Sequence, residues 1–286
     1  MPRFQHSAMA TQFEIRSTHP DEHFARQAAR TAFEAVDSLE LQLSRFVENS
    51  DISRINHLSA GESTIVGYDT MQCLQLASLI HAETDGAFDV AIGTGFDNLV
   101  LFPAESVVLA RADNVRLDLG AIGKGYAVDR VADTLEDWEV DRVLIDAGLS
   151  SVLALEPPPG QESWPLTLSE PGETGLVLAH LAARQRALGG SGIQKRDHIL
   201  NPRDHTPVRT RSASWVSAPR AVLADISRQA GVDGSPTAAA DALSTAFMIN
   251  EVEDIDAYCR RYPGLEAWIL EDGLRHFSAM PGATPG

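Results

Sequence analysis

A glycine-rich segment of the sequence has the residue types that could bind a phosphate group. Residues 117–129 read LDLGAIGKGYAVD and run from the end of a predicted strand into a predicted helix. Glycine lets the backbone approach a ligand closely, the start of a helix offers free N–H groups to phosphate, and Lys124 would add a positive charge. The spacing is neither GxGxxG nor a Walker A loop, because Gly125 follows Lys124. A structural turn with a solvated lysine fits this spacing equally well.

A second segment places a carboxylate and a hydroxyl one helical turn apart. Residues 240–247 read ADALSTAF, and Asp241 and Thr245 would share one face of a predicted helix. Two such oxygen ligands suit Mg²⁺, which completes its coordination shell with water and phosphate. In the alternative, Asp241 caps the helix and Thr245 bonds back to a carbonyl one turn earlier. The residues alone favour this alternative.

Two further segments combine polar residues with turn formers. The DGAFD run at 85–89 could hold a ring and a polar ligand group, although an Asx-type turn is the commoner meaning of this pattern. His198 ends a predicted strand just before the Asn201-Pro202 turn, where a single histidine is more often structural than catalytic. The sequence contains no HExxH and no GxSxG, and Ser191 lies in a GGSG run that lacks the nucleophile-elbow pattern.

The elements that would position these residues alternate between helices and strands. Apolar periodicity predicts helices at 21–46, 69–83, 126–138, 219–230, 238–249 and 252–261. It predicts strands at 8–16, 142–146, 151–156, 164–169, 175–181, 196–200, 213–217, 265–270 and 274–277. We therefore expect an α/β (α+β) protein with mixed or antiparallel sheets covered by helices. No internal repeat or linker divides the chain, so we expect one domain over residues 1–286.

Composition limits the possible partners. The chain has 286 residues, 40 acidic and 23 basic, which gives a formal charge of −17. This balance argues against nucleic acid and anionic lipid surfaces as partners, because both attract basic proteins. We expect Cys73 and Cys259 to be buried free thiols. The sequence has no run of 18 apolar residues, apolar signal region or lipidation cysteine, so we expect a cytoplasmic protein with no membrane insertion.

Taken in order, these segments resemble the ApbE family of FAD:protein FMN transferases. The glycine-rich DLGAIGKGYAVD and the ADALSTAF segment are near-verbatim copies of family motifs. The other matching segments are MAT at 9–11, SRF at 44–46, SDISRIN at 50–56, TDGAFD at 84–89 and HILNPRD at 198–204. The resemblance spans nearly the whole chain and implies an ApbE-like (T-fold-like) architecture.

The resemblance implies a specific chemistry. FMN would be transferred from FAD to a Thr or Ser hydroxyl of an acceptor protein, with Mg²⁺ required and AMP released. The metal would be held by Asp241, Thr245 and the carbonyl of Ala121, which reverses the capping interpretation of Asp241. Asp241 and His198 are the candidate bases. The implied FAD contacts are Met9, Phe46 as an aromatic wall near the flavin, Ala87, Phe88, Asp89, Asp118, Lys124, His198 and Ile199.

Two segments depart from the family pattern. Residues 146–151 read DAGLSS, which lacks one glycine and the usual asparagine, and residues 190–195 read GSGIQK, which lacks the Thr, Tyr and Glu of TSGxYE. The metal and phosphate residues are intact, so we expect transfer to be retained with altered acceptor recognition. Two alternatives stay open: a Mg²⁺-dependent FAD pyrophosphatase with water as acceptor, and an FAD-binding protein that has lost catalysis.

Overall fold

The computed structural model describes residues 1–91, 93–172, 176–193 and 199–279. Within them, the α-helices are α1 (Glu22–Leu43), α2 (Asp51–Ile55), α3 (Tyr68–Glu83), α4 (Gly123–Asp137), α5 (Arg220–Gln229), α6 (Pro236–Ala246) and α7 (Val252–Arg261). The strands are β1 (Arg3–Ala8), β2 (Thr11–Ser17), β3 (Ser63–Ile65), β4 (Leu99–Phe102), β5 (Val107–Ala110), β6 (Val143–Ala147), β7 (Ser151–Ala154), β8 (Trp164–Ser169), β9 (Val177–Ala183), β10 (Arg186–Gly192), β11 (Ala213–Pro219), β12 (Glu266–Leu270) and β13 (Leu274–Ser278). Two 3₁₀ turns lie at Phe96–Asn98 and Pro103–Glu105.

Helix α1 follows directly from local sequence. The Asp21 side chain accepts a hydrogen bond from the Phe24 N–H at 3.0 Å and caps the first turn. The residues that it buries recur every three or four positions, so one stripe of the helix faces the core. These residues are Ala25, Ala28, Ala29, Ala32, Phe33, Val36, Leu39 and Leu43.

Most strands join one antiparallel sheet of eight strands in the order β1-β2-β6-β7-β10-β11-β12-β13. Helices α4 and α6 pack against its central strands, and α1 packs on α4. Strands β3, β5 and β4 form a small separate sheet, and β8 pairs with β9 as a hairpin. The expected α+β class with antiparallel sheets covered by helices is confirmed.

Helix α6 lies unusually close to its neighbours because glycines face it. A Cβ at Gly125 of α4 would lie 2.4 Å from the Thr237 carbonyl oxygen, and one at Gly189 of β10 would lie 2.3 Å from the Ala240 carbonyl carbon. Only glycine allows such contact without displacing backbone. The two glycines therefore fix α6, which carries Asp241, against α4 and β10.

The hairpin β8–β9 covers part of the opposite face of the large sheet. Trp164 and Leu168 of the hairpin pack with Leu144, Val152 and Leu188 of the sheet. This second apolar cluster is separate from the main core on the helix side. The hairpin thereby forms one wall of the cleft described below.

Several observed strands are absent from the predicted set, among them β1 and β10, and one predicted strand is only partly described. Strand β1 begins the chain, and β10 has the glycine-rich sequence RALGGSG, which lacks the usual signature of a strand. The predicted strand at 196–200 falls mostly on residues 194–198, which lie outside the described residues. Of the remainder, Leu200 forms an isolated bridge with Pro207. Among the described residues, no helix has the length and apolar character needed to cross a membrane.

Candidate functional site

A cleft of about 1070 Å³ opens between the hairpin, the large sheet, the loop that precedes α4, and helix α6. It brings together segments that are far apart in the sequence, and most of the residues predicted for the site line it. Those residues are Met9, Ala87, Asp89, Asp118, Ala121, Lys124, Ile199, Asp241 and Thr245.

Asp241 lies in the second turn of α6 and is 4% exposed. The helix begins after Ser235, so the interpretation of Asp241 as its cap is wrong. Its Oδ2 accepts hydrogen bonds from the Gly125 N–H at 2.9 Å and from the Ser151 hydroxyl at 2.6 Å. Its Oδ1 is buried and accepts no hydrogen bond from the described residues. One carboxylate oxygen is therefore fixed by the protein, and the other is left for a ligand.

Burial raises the pKa of the Asp241 carboxyl to about 7. The nearby charge of Lys124 and the hydrogen bonds from Ser151 and Gly125 act in the opposite direction and lower this pKa. A buried carboxylate with an unpaired oxygen is costly unless a cation or donor meets it. The site therefore favours a bound cation next to Asp241.

Hydroxyl groups of α6 and β10 cluster around Thr245, one helical turn from Asp241. The Thr245 hydroxyl donates to the Asp241 carbonyl at 3.3 Å, which is the back-bonding expected of a threonine in a helix. The Ser191 hydroxyl of β10 lies 2.8 Å from the Thr245 hydroxyl and 2.9 Å from that of Ser244. Asp241 and Thr245 are thus held by neighbouring strands as well as by their own helix.

The donor set fits a hard cation such as Mg²⁺. Asp241 Oδ1 is a carboxyl oxygen with no hydrogen-bond partner among the described residues, and the Thr245 hydroxyl and the Ala121 carbonyl supply neutral oxygens in the same cleft. The described residues contain no group of three or more His, Cys, Asp or Glu placed to hold a metal ion. A metal here would therefore bind one carboxylate and complete its shell with neutral oxygens, water and phosphate, which is the habit of Mg²⁺.

In the loop before α4, backbone N–H groups that the sequence predicted to be free for a ligand are hydrogen-bonded within the protein. The Gly120 N–H donates to Asp118 Oδ1 at 2.8 Å, and the N–H groups of Ile122 and Gly123 both donate to the Leu119 carbonyl. The N–H of Gly125 is taken by Asp241, as described above. These backbone donors are therefore occupied within the protein. Positive charge at the loop comes instead from Lys124, whose ammonium donates to the Gly120 carbonyl at 3.1 Å.

The segment around Asp89 forms an Asx-type turn at the cleft. The Asp89 carboxylate accepts from the Ala91 N–H at 2.6 Å and from the Phe96 N–H at 3.2 Å, and burial raises its pKa. Phe88 is 1% exposed, and its side chain packs in the core. Arg203 donates to the Asp85 carbonyl at 3.0 Å and so ties the segment after Ile199 to this turn.

Phe46 lies outside the cleft lining but is connected to it. Its ring is 81% exposed, and the Arg45 guanidinium lies over it, 4.3 Å from the ring centroid. Arg45 also pairs with Asp118 of the cleft at 2.8 Å. His198 lies outside the described residues, so its role stays a prediction.

Residues 146–151, which lack one glycine of the family pattern, still form a turn. Leu149 has a left-handed φ of 63° and an 83% exposed side chain, and its N–H donates to Asp146 Oδ1 at 2.9 Å. Ser151, two residues later, supplies the hydroxyl bound to Asp241. Sequence reasoning missed Ser151 because the two residues are 90 positions apart. No local spacing signals such a contact.

The structure is that of a mixed α/β protein with one large cleft among its described residues, and comparison with known proteins identifies the family. The chain belongs to the ApbE family, whose sequence profile matches residues 9–97 and 93–269.

Curated relatives share a name. A protein of Klebsiella pneumoniae named FAD:protein FMN transferase is 26% identical over 217 residues, which covers 63% of this chain and 66%, just under two thirds, of that protein. One of Treponema pallidum with the same name is 23% identical and covers 85% of this chain and 76% of its own.

Solved structures show the same fold. The ApbE protein from Thermotoga maritima superposes with a TM-score of 0.80 at 21% identity and covers 96% of both chains. The flavin transferase ApbE from Vibrio cholerae superposes with a TM-score of 0.77 at 18% identity and covers 97% of this chain and 96% of its own.

Proposed function

We propose that this chain is a Mg²⁺-dependent enzyme that transfers FMN from FAD to a Thr or Ser hydroxyl of an acceptor protein and releases AMP. The names of its relatives support the reaction class. The observation that carries the proposal is the buried Asp241 carboxylate, which leaves Oδ1 unpartnered in a large cleft beside Lys124.

In this proposal Asp241, Thr245 and the Ala121 carbonyl hold the metal. Bound Mg²⁺ would neutralise charge on the pyrophosphate and favour departure of AMP. The protein's own part is orientation, because Gly125 and Ser151 both donate to Asp241 Oδ2 and so turn Oδ1 towards the ligand side. Preorganised ligands need no rearrangement when the substrate arrives.

The transfer needs no reactant besides FAD and the acceptor hydroxyl. The acceptor hydroxyl oxygen forms a bond to the phosphorus of the FMN half, and the bond from that phosphorus to the bridging oxygen of AMP breaks. The hydroxyl proton passes to a base, for which Asp241 and His198 are the candidates. Lys124 would stabilise negative charge that builds up on the phosphate oxygens. The proposed FAD contacts remain Met9, Phe46, Ala87, Asp89, Asp118, Lys124, His198 and Ile199. Phe88, also in the predicted set, packs in the core and would support this segment from below rather than touch FAD with its ring.

We also propose that residues 1–286 act as a single domain in the cytoplasm. The main hydrophobic cluster includes residues from Phe4 to Ile269, which supports one shared core. Cys73 and Cys259 are both buried and free, as expected from the sequence, and free thiols accord with a reducing compartment.

The test is to incubate the purified protein with FAD and Mg²⁺, with and without an extract of the source cells. AMP is measured by chromatography, and covalently bound flavin is detected by its fluorescence in a denaturing gel. A fluorescent band together with AMP, seen only with extract and lost with EDTA, is the expected result. Rapid release of AMP and FMN without extract would instead identify a pyrophosphatase. FAD binding with no AMP in any sample would identify a binding protein that has lost catalysis.

A further inference from the structure

Trp215 lies on the floor of the cleft, and neither the motifs nor the proposed chemistry gives it a role. It is half-buried, whereas its neighbours in β11 from Ala213 to Ala218 are buried. The lining around it includes the apolar side chains of Val152, Leu166 and Leu188. A partly exposed indole on an apolar floor offers a flat face to a planar ring.

A glycine on the neighbouring strand makes room for this indole. Gly190 of β10 is the direct cross-strand partner of Trp215 in β11. A Cβ at position 190 would lie 3.0 Å from Trp215 Cδ1, closer than side chains normally pack. Position 190 is also where this chain lacks the threonine of the family motif. The glycine and the tryptophan are therefore a matched pair, and the indole occupies space that a side chain at position 190 would take.

The position of Trp215 suits a ring attached to a phosphate. Ser191 follows Gly190 directly, and its hydroxyl lies 2.8 Å from that of Thr245 at the proposed metal site. Successive residues of a strand face opposite sides of the sheet, so Ser191 lies on the α6 side and Trp215 on the hairpin side, and both line the same cleft. In FAD, each ring is joined to the pyrophosphate through a single sugar or sugar-alcohol unit.

We propose that the indole of Trp215 stacks against a planar ring of FAD, either adenine or isoalloxazine, and so sets the orientation of the dinucleotide in the cleft. The inference rests on the proposed FAD chemistry of this site. Both rings present a flat π-surface, and the half-ligands AMP and FMN separate them experimentally.

Calorimetric titration with FAD, AMP and FMN in Mg²⁺ tests the inference. Trp215→Ala is expected to weaken FAD binding about tenfold, and Trp215→Phe to stay within about threefold of the wild type, because a stacking ring is kept. In Trp215→Ala the affinity should fall for only one of AMP and FMN, and that ligand carries the ring that stacks on Trp215. Trp138→Phe is the control, because Trp138 packs on Phe24 outside the cleft lining and should not change any of these affinities.

If Trp215→Ala weakens the binding of AMP and of FMN equally, the substitution has disturbed the cleft in general, and the stacking role is overturned. The role is also overturned if neither affinity falls. If Trp215→Ala does not fold, Gly190→Thr is used instead, because a side chain on β10 at this position pushes the indole of Trp215 aside. Its affinities for AMP and FMN are compared in the same way. Failure of the wild-type protein to bind FAD is a separate result, which overturns the proposed function and this inference with it.

Discussion

The carboxylate of Asp129 on α4 accepts hydrogen bonds from the backbone N–H of Thr237 on α6, at 3.0 Å through Oδ1 and 3.1 Å through Oδ2. The N–H of Ala238 also donates to Oδ2 at 3.0 Å. Asp129 thus binds the free N–H groups in the first turn of α6, and once the carboxyl is ionised its negative charge also interacts favourably with the helix dipole. The helix that carries Asp241 and Thr245 is therefore anchored by a residue of the glycine-rich segment.

The other end of α6 is anchored by the opposite charge. Arg211 is 5% exposed and donates to the carbonyl oxygens of Phe247 at 2.7 Å and Asn250 at 2.5 Å. Its Nε pairs with Glu271 at 2.7 Å. With Asp129 at one end and Arg211 at the other, α6 has little freedom to shift along its axis.

Stability should fall with rising pH because of Asp129. Burial raises the pKa of this carboxyl from 3.8 to about 7. Between these values the folded protein keeps a proton that the unfolded chain loses, so the free energy of unfolding decreases as pH rises from about 4 to 7. Asp129→Asn should reduce this slope by up to about 1.4 kcal/mol per pH unit.

Urea unfolding at a series of pH values, in EDTA, measures that slope. Asp225→Asn is the control, because Asp225 is 72% exposed on α5 and its removal should leave the slope unchanged. Identical slopes for the wild type and Asp129→Asn would show that Asp129 does not titrate in this range.

Gly125→Ala should separate α4 from α6. The new Cβ would lie 2.4 Å from the Thr237 carbonyl oxygen, so backbone must move, at a cost of about 1–3 kcal/mol in the free energy of unfolding. Because the Gly125 N–H also binds Asp241, Mg²⁺-dependent FAD binding should weaken as well. Thermal unfolding and FAD titration are the measurements. Gly273→Ala, with nothing within 4 Å of its Cβ, should change neither, and a similarly neutral Gly125→Ala would contradict the close packing.

Leu149→Gly should stabilise the protein. Leu149 has φ 63° and is 83% exposed, so the substitution relieves a left-handed conformation and loses little buried surface. We expect a gain of about 0.5–1 kcal/mol in the free energy of unfolding, measured by urea titration. Leu41→Ala removes an exposed leucine from α1 and should be nearly neutral. A loss of stability in Leu149→Gly would show that the Leu149 side chain makes stabilising contacts.

Phe46→Ala should affect FAD binding without affecting folding. The ring is 81% exposed, so its removal should change the free energy of unfolding by less than about 0.5 kcal/mol. If the ring contacts the flavin, FAD affinity should fall about tenfold. Phe102→Ala, at a 41% exposed phenylalanine outside the cleft lining, is the matched control. Unchanged FAD affinity in Phe46→Ala would remove Phe46 from the proposed contacts.

Elements whose formation depends on residues close together in the sequence were predictable from sequence patterns. Helix α1 was predictable because its apolar stripe and its Asp21 cap lie within one segment. Strand β10 was not, because its glycines serve the close approach of α6, which is distant in sequence. Spacing alone wrongly made Asp241 a cap, since the helix start at Pro236 depends on Asp129 of another helix.

The candidate site shows the same division. Most of the site residues implied by the motif resemblance line the cleft, including Lys124 and Thr245. The resemblance gave no sign of Ser151 or Trp215, because their proposed roles depend on contacts between residues that are far apart in the sequence. The glycine-rich spacing predicted free N–H groups in the loop before α4, where Gly120 and Gly125 instead donate within the protein.

The most direct test of the central claim is FAD affinity measured with Mg²⁺ and with EDTA, for the wild type and for Asp241→Asn. EDTA should weaken FAD binding to the wild type at least about tenfold, because with a net charge of −17 the protein needs the metal to bind an anionic dinucleotide. Asp241→Asn should bind FAD weakly and equally in both conditions, and Asp225→Asn should behave as the wild type. Wild-type affinity that EDTA leaves unchanged would contradict the assignment of Asp241 as a metal ligand.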